Sequence, residues 1–498
     1  MSEKRQKKQK KFKPKARVPR GFRDIAGAEL ALQNAMLSTI AKVYEQYGFD
    51  NLDTPAFEYA DALGKFLPDA ERPNEGVFAL EDDDGQWVSL RYDLTAPLAR
   101  YVSEHYERLP KPLRRYQAGY VFRNEKPGPG RYRQFMQMDA DTVGAASAMA
   151  DAEICMMAAD CMRALGLETD DFIVRINDRK ILDAVLEITG LSRNDEDYED
   201  RRLIILRAMD KLDRLGISGV RELLGAGRKD ESGDYTKGAG LTPEAINTVC
   251  DFLNARQDNR EATLDAIEKI VGGIECGQEG IRELREMNTL FSSLGYGDDQ
   301  VTFDPSVVRG LGYYTGPVFE IELTFEALND DGEIARFGSV GGGGRYNDLV
   351  KRFKGIEVPA TGISIGVSRL AAALSLRGTF SEHETKPLIV ALVMDREYRA
   401  QTAQMVQRLR QDGLRAEMYM GDSGMKPQLR YADTRGARFA IIEGEDERAR
   451  GVVTIKDLAL GAAKSADITD NTEWRESQHS QHEVKRQDIV AEIKKLLS

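Results

Sequence analysis

Cysteine is scarce in this chain: four in 498 residues (Cys155, Cys161, Cys250 and Cys276), scattered and without a C-x-x-C pair. That argues against a disulfide framework and a zinc site, and for a reducing, cytoplasmic setting. Histidine is as rare, and His105, His383, His479 and His482 all lie outside the strong motifs, so neither a histidine general base nor a Cys–His pair is expected. No apolar run reaches the length of a membrane span. The Lys/Arg-rich residues 1–19 carry no apolar core, so a secretory signal is not expected there. There is no G-x-x-x-x-G-K-[ST], which excludes the P-loop device. The four glycines from Gly341 run into Arg345-Tyr346 instead of opening a G-x-G-x-x-G strand–helix unit; they read as a bulge or a close backbone approach. Positive charge is not in excess either. The net charge is −12, so any surface for nucleic acid must be local.

What is present is an ordinary globular composition, 41% hydrophobic and 31% charged, long enough for roughly two to four domains. Residues 1–19 form a block of basic charge expected to be disordered, either an RNA-backbone contact or a solubilising tail. An amphipathic helix is expected over 29–47, then an extended segment over 49–57 whose Pro55 suits an edge strand. That edge is either a dimer seam or a plain surface strand. Residues 87–95 read as a strand entering a loop, with Arg91, Asp93 and Thr95 on one face. Helices are expected over 96–108, 145–165 and 178–189, and a strand over 171–177. The stretch 191–294 is helix-forming, with a glycine-rich loop at 225–240, and strands and turns return over 301–370.

The most informative stretch is 116–144. Tyr116–Arg123 and Arg131–Asp141 are two β-rich runs joined by Lys126-Pro127-Gly128-Pro129-Gly130, which predicts an antiparallel hairpin. With a period of two, Arg131, Arg133, Phe135, Gln137, Asp139 and Asp141 share one face. Tyr132, Gln134, Met136, Met138 and Ala140 share the other. A solvent face has no need of Phe135 among charges, and a core face cannot bury so many unpaired. The pattern suits a floor for a flat, anionic and amine-bearing ligand. Arg123, Arg131, Arg133, Arg309 and Arg369 recur at strand ends beside glycine or aromatic residues, where guanidinium groups can hold phosphate oxygens in pairs. After a linker over 373–386, strands and helices alternate from Leu388 to a closing helix at 484–497, predicting a small parallel α/β domain.

These motifs resemble those of class II histidyl-tRNA synthetases. Phe122-Arg123-Asn124-Glu125 with Gly130-Arg131-Tyr132-Arg133-Gln134-Phe135 is similar to the family's second motif, Gly366-Val367-Ser368-Arg369-Leu370 to the third, and the segment around Pro55 to the first. Arg309-Gly310-Leu311-Gly312-Tyr313-Tyr314-Thr315-Gly316 and Gly343-Gly344-Arg345-Tyr346 resemble its two histidine signatures, and Pro19-Arg20-Gly21-Phe22-Arg23-Asp24 its start. Met425–Gly461 resembles its anticodon-binding domain.

The resemblance implies an α+β catalytic domain with a mixed, mainly antiparallel sheet (20–190 and 295–372), a helical insertion (191–294) and a C-terminal α/β anticodon-binding domain (387–498). It also implies ATP, Mg2+, L-histidine and a histidine tRNA as ligands, and a homodimer. Arg123 and Arg309 would be catalytic. Asp93, Leu94, Thr95, Arg123, Gln137, Asp141, Arg309, Tyr313 and Tyr314 would bind histidine. Arg123, Glu125, Arg131, Arg133, Phe135 and Arg369 would bind ATP, with no protein metal site. Gly312, Asn347 and Ser368 depart from the family's usual residues, and the turn at 127–130 offers few side-chain donors for a tRNA acceptor end. The competing reading is a non-catalytic, histidine-sensing regulatory paralogue. The three arginines Arg123, Arg309 and Arg369 and the C-terminal domain argue against it.

Overall fold

Residues opposite one another across a β-ladder project to the same side of the sheet, and successive rungs alternate sides. The computed structural model describes residues 14–62, 76–127, 131–191, 197–229, 233–308, 314–328, 334–335, 337–378, 386–459 and 481–497. It divides into two compact units, Met1–Phe380 and Ser381–Ser498.

The first unit is built on an eight-stranded sheet. Its order is Asp50–Asn51, Leu113–Phe122, Gln134–Val143, Ala360–Ile365, Ser339–Arg345, Pro317–Leu323, Phe172–Asp178 and Val301–Phe303. The six inner strands run antiparallel, and the two edge strands pair in parallel. The sheet is therefore mixed and mainly antiparallel, as expected, and the segment before Pro55 does supply an edge strand.

Two successive rungs explain the layering. One rung reads Ala118, Met138, Ile365, Gly341, Ile321, Val174, Val301; the next reads Gln117, Asp139, Ser364, Gly342, Glu320, Arg175, Thr302. The apolar side is covered by the helices Gly27–Gln46, Ala148–Ala164 and Val367–Arg377, whose Met36, Ile40, Ile154, Met157, Leu370 and Leu374 are completely buried. Burying each such side chain contributes on the order of 1.5–3 kcal/mol. A slip of one residue would bring the carboxylates under these helices, so the register is strongly specified. The polar side is left for chemistry.

The glycine run lies in the strand Ser339–Arg345, at the centre of this sheet. At Gly343 a Cβ would stand 2.0 Å from the Gly362 carbonyl oxygen and 2.5 Å from the Phe319 ring. This is the close backbone approach that the glycines suggested. Arg345, which follows the glycine run, is buried and ion-paired with the equally buried Asp151. It also donates to the carbonyls of Ala145 and Ser147, both at 2.9 Å, and so ties down the start of the helix Ala148–Ala164.

Residues 198–293 supply the helices Tyr198–Met209, Leu212–Leu224, Pro243–Leu253, Arg260–Val271 and Glu275–Ser293. A two-stranded hairpin, Gly227–Lys229 with Tyr235–Lys237, occupies the stretch read as a glycine-rich loop. Ile205, Phe252, Leu284 and Phe291 belong to the same continuous core as the sheet residues Val174 and Ile176. The expected linker starts too early: the helix Val367–Arg377 runs into its beginning, because Leu370, Ala371, Ala373 and Leu374 recur at helical spacing on a buried face.

The second unit is a five-stranded sheet in the order Arg415–Met418, Leu388–Ala391, Phe439–Ile442, Val452–Asp457, Gln481–Lys485. Only the first three strands are parallel; the last two join antiparallel, so the expectation of a parallel domain is corrected. The connection from Ile442 to Val452 holds only the short helix Glu445–Arg450, less than a parallel crossover needs. The closing helix begins at Ile489, not Val484, since Val484 pairs with Val453 in the last strand.

Candidate active site

The central hairpin, Leu113–Phe122 with Gln134–Val143, carries the polar face expected of it from Phe135 onward. Arg131 and Arg133 are not on that strand face. The strand starts at Gln134, and the Arg133 N–H is turned to the Gly21 carbonyl at 2.8 Å. Arg91, Asp93 and Thr95 also fail to alternate along a strand, which ends at Leu90. The Arg91 guanidinium instead fills the space over Gly119, where a Cβ would lie 2.3 Å from it, and donates to the Tyr120 and Thr54 carbonyls at 2.8 Å.

At the open end of the hairpin, the Arg123 N–H donates to the Arg133 carbonyl at 2.9 Å. Its guanidinium carbon lies 4.5 Å from the centre of the Tyr92 ring and 5.1 Å from that of Phe135. The Tyr92 hydroxyl donates to Glu125 Oε1 at 3.1 Å, and Arg131 Nη2 stands 3.4 Å from Glu125 Oε2. Arg133 Nε donates to the Glu125 carbonyl at 2.9 Å. Arg123, Glu125, Arg131, Arg133 and Phe135 are thus gathered around Tyr92, a residue that the sequence reading passed over. Burial raises the Tyr92 phenol, opposed by the Arg123 charge. Flat rings and cations at one rim make a surface on which an aromatic base and phosphates can lie side by side.

Deeper on the same face, Asp139 and Asp141 are both about 2% exposed. Asp141 accepts a short hydrogen bond from the Tyr346 hydroxyl through Oδ1, and its Oδ2 is ion-paired with fully buried Arg115 at 2.9 Å. A Cβ on Gly362 would meet Asp141 Oδ1 at 2.0 Å, so glycine there is what admits the carboxylate. Burial raises the Asp141 carboxyl, while Arg115 and Tyr346 pull it back. Asp139 accepts from the Ser364 hydroxyl and is pushed up to about 7, chiefly by burial and then by Asp141. The side-chain oxygen of Gln137, on the same face, is buried without a hydrogen-bond partner. A buried acceptor left unmet costs roughly 1–3 kcal/mol, and such groups mark places where a ligand completes the bonding.

Asp93 Oδ1 accepts from the N–H groups of Thr95 and Ala96 at 3.1 and 2.9 Å, capping the helix Thr95–His105. Leu94 is fully buried, and its carbonyl accepts from Arg115 Nη2 at 2.9 Å. Tyr314 packs where a Cβ of Gly344 would be, 2.8 Å from its ring. Arg369, exposed on the first turn of the helix Val367–Arg377, donates to the Phe337 carbonyl at 2.6 Å. Arg309, Gly312, Tyr313 and the turn residues 128–130 lie outside the described residues.

Arg115, Asp139, Tyr346 and Ser364 carry the deep cluster but were given no role from sequence. Tyr346 sat in a recognised motif. Arg115 could have been found as the residue opposite Asp141, had the hairpin register been known. Ser368 supports the strand: its hydroxyl accepts from the Met136 N–H at 2.9 Å. Among the described residues no group of three or more His, Cys, Asp or Glu side chains could hold a metal ion, and no helix is long and apolar enough to cross a membrane.

The model of the histidyl-tRNA synthetase family matches residues 21–370, and that of an anticodon-binding domain matches residues 386–496. The histidine–tRNA ligase of Bartonella bacilliformis is 54% identical over 490 residues, 98% of each chain. That of Rhizobium meliloti is 54% identical over 501 residues, covering 100% of this chain and 98% of its own. The crystal structure of histidyl-tRNA synthetase from Nostoc sp. PCC 7120 superposes with a TM-score of 0.72 at 29% identity, over 97% of this chain and 100% of that one.

Proposed function

The chain belongs to the histidyl-tRNA synthetase family, and from that premise we propose that the polar face of its main sheet holds ATP and L-histidine side by side. The enzyme is a histidine–tRNA ligase. The observation that carries the site assignment is the grouping of Arg123, Phe135 and Tyr92 at the rim with Gln137, Asp139 and Asp141 behind them.

In this reading Phe135 stacks on adenine and Glu125 meets its amino edge. Arg131, Arg133 and Arg369 hold phosphates. Arg123 grips the histidine carboxylate and the α-phosphate together, with Arg309 across from it. The carboxylate oxygen attacks the α-phosphorus, the bond to the bridging oxygen breaks, and diphosphate leaves with the electron pair. No protein nucleophile is needed; positioning and charge neutralisation carry the step. Asp93, Thr95 and Gln137 receive the α-ammonium, Leu94 shapes the wall, and Asp141 with Tyr313 and Tyr314 reads the imidazole. The terminal adenosine 3′-hydroxyl of the tRNA then attacks the adenylate carbonyl and releases AMP.

Magnesium fits as a companion of the nucleotide, since Mg2+ binds through phosphate oxygens and retained waters and needs no protein cage. It supplies neutralisation of phosphate charge. A homodimer is part of the same reading: Phe57, Tyr59 and Leu80 share one face of a small sheet and stay 47%, 57% and 48% exposed. A cytoplasmic setting belongs to the same reading, where the charged tRNA would serve translation.

Histidine-dependent exchange of labelled diphosphate into ATP tests the first step, and charging of a histidine tRNA the second. Exchange with histidine but with no other amino acid is expected. Histidine binding without exchange would make the chain a sensor.

A further inference from the structure

Three carboxylates converge under the inner end of the site: Asp93 on its loop, and Asp139 and Asp141 on one strand face. The compensating charge is unevenly shared. Arg115 makes its ion pair with Asp141 at 2.9 Å and donates to the Leu94 carbonyl; its Nε and Nη1 have no hydrogen-bond partner, and its charge only partly offsets what raises Asp139. Arg91 donates to the Tyr120 and Thr54 carbonyls and lies 3.9 Å from Asp53, so Asp139 has only a share of its charge. Asp139 is left with a hydroxyl, Ser364, on one side and Gln117 opposite it on the other. Gln117 in turn donates to Asp53 at 2.7 Å and accepts from Thr54 at 3.1 Å, so its amide is spent elsewhere. Behind the sheet, the buried phenol of Tyr44 adds no positive charge. Further along the same rung stand Gly342 and Glu320, again without a cation on the near side. Next to Asp139 on its own face is the buried, unpartnered oxygen of Gln137.

A neutral amide oxygen is a weak seat for a cation unless charge stands behind it. We propose that Asp139 is a positioning residue that supplies this charge: a buried carboxylate with no ion pair of its own, which gives up its proton when the α-ammonium of histidine settles on Gln137. This rests on the function proposed above and adds to it a residue and a linked proton. The balance is simple. Protonated Asp139 and ammonium-bearing histidine become carboxylate and bound ammonium, and one proton goes to solvent. A carboxyl that holds its proton up to about neutral pH in the free protein suits that exchange. The cation lowers its pKa, so affinity for histidine rises with pH up to about 7 and levels off above it.

Isothermal titration of the full-length protein with L-histidine, in two buffers of different ionisation enthalpy, counts the protons released across pH 6–8. Wild type should release more than Asp139→Asn near pH 7; the imidazole of histidine contributes equally to both. In diphosphate exchange, Asp139→Asn should raise KM for histidine about tenfold, the equivalent of one pKa unit of coupling, and change kcat less. Ser364→Ala removes a hydrogen bond that favours the charged form, so it should move the midpoint of proton release to higher pH. Equal proton release by wild type and Asp139→Asn, with both binding histidine, would overturn the proposal and leave the proposed function standing. An unmoved midpoint in Ser364→Ala would overturn it too. Wild type that binds no histidine at any pH would overturn the function itself.

Discussion

Two buried acid–arginine clusters in this protein are built to opposite specifications. In one, Asp151 meets Arg345 through both Nε and Nη2, and Arg345 has its other N–H groups on the Ala145 and Ser147 carbonyls. Charge closes within the protein, one carboxylate against one guanidinium, although Asp151 Oδ1 is buried without a hydrogen-bond partner. In the other, Asp139, Asp141 and Asp93 share Arg115 and a partly committed Arg91, and an amide oxygen beside them has no partner. The first cluster fastens a helix to the sheet. The second is incomplete without something cationic. The difference teaches that burial of charge alone does not identify a site; the sign and size of what is left over does.

Breaking the closed cluster should have the largest effect on stability. Arg345→Met strands Asp151 and is expected to cost about 3–5 kcal/mol in urea unfolding at pH 7.5. Asp151 is held up to about 6, mainly by burial against the pull of Arg345, so without Arg345 it protonates more readily still. The cost should therefore shrink as pH falls from 7.5 to 5; a cost unchanged with pH would show that the charge is not the issue.

Arg123→Ala, at the open rim, should lower kcat/KM for diphosphate exchange by about 10²–10³, while its unfolding midpoint moves little. Near-normal exchange would remove Arg123 from the chemistry.

A smaller effect tests the second cluster from the side of stability. The Asp139 carboxyl is raised in the folded state, so its contribution is fully present below the ordinary carboxylate range and is lost as pH rises through about 7. Asp139→Asn cannot ionise. Relative to wild type it should gain stability, by about 2–3 kcal/mol, between pH 5 and pH 8. A variant that loses stability over that range would place Asp139 with the closed cluster instead.

The smallest effect belongs to a control outside both. Arg285 contacts Glu261, Asp265 and Glu268 at the surface, and Arg285→Ala should cost less than about 1 kcal/mol and less still in high salt.

Much of this contrast was legible in the sequence, where it depended on local periodicity. The alternation of Phe135, Gln137, Asp139 and Asp141 with Met136, Met138 and Ala140 needs only a period of two, and it led to the correct hairpin and the correct polar face. What could not be read was set by register and by distant chain. Arg115 meets Asp141, and Tyr346 reaches it from two strands away, only once the ladders are aligned. Arg133 was placed on the wrong side of the strand boundary because Gly21, more than a hundred residues earlier, takes its N–H. The antiparallel end of the second sheet was missed for a related reason. Alternation of helix and strand suggests parallel pairing, and the short connection after Ile442 overrides it.

Gly342 and Gly343 are adjacent yet face opposite sides of the sheet. A methyl group at Gly343 would collide with Gly362 and Phe319, whereas one at Gly342 meets nothing nearer than a carbonyl oxygen at 3.4 Å. At Gly342 the polar face of the sheet is therefore bare backbone, with no rotamer to freeze when a ligand arrives. Mutation can add bulk at Gly342 without disturbing the fold, but only by taking space from the ligand. Under selection such a surface is nearly mute. Any drift in what this protein accepts has to be written in the side chains around it, at residues such as Asp139, Ser364 and Tyr346.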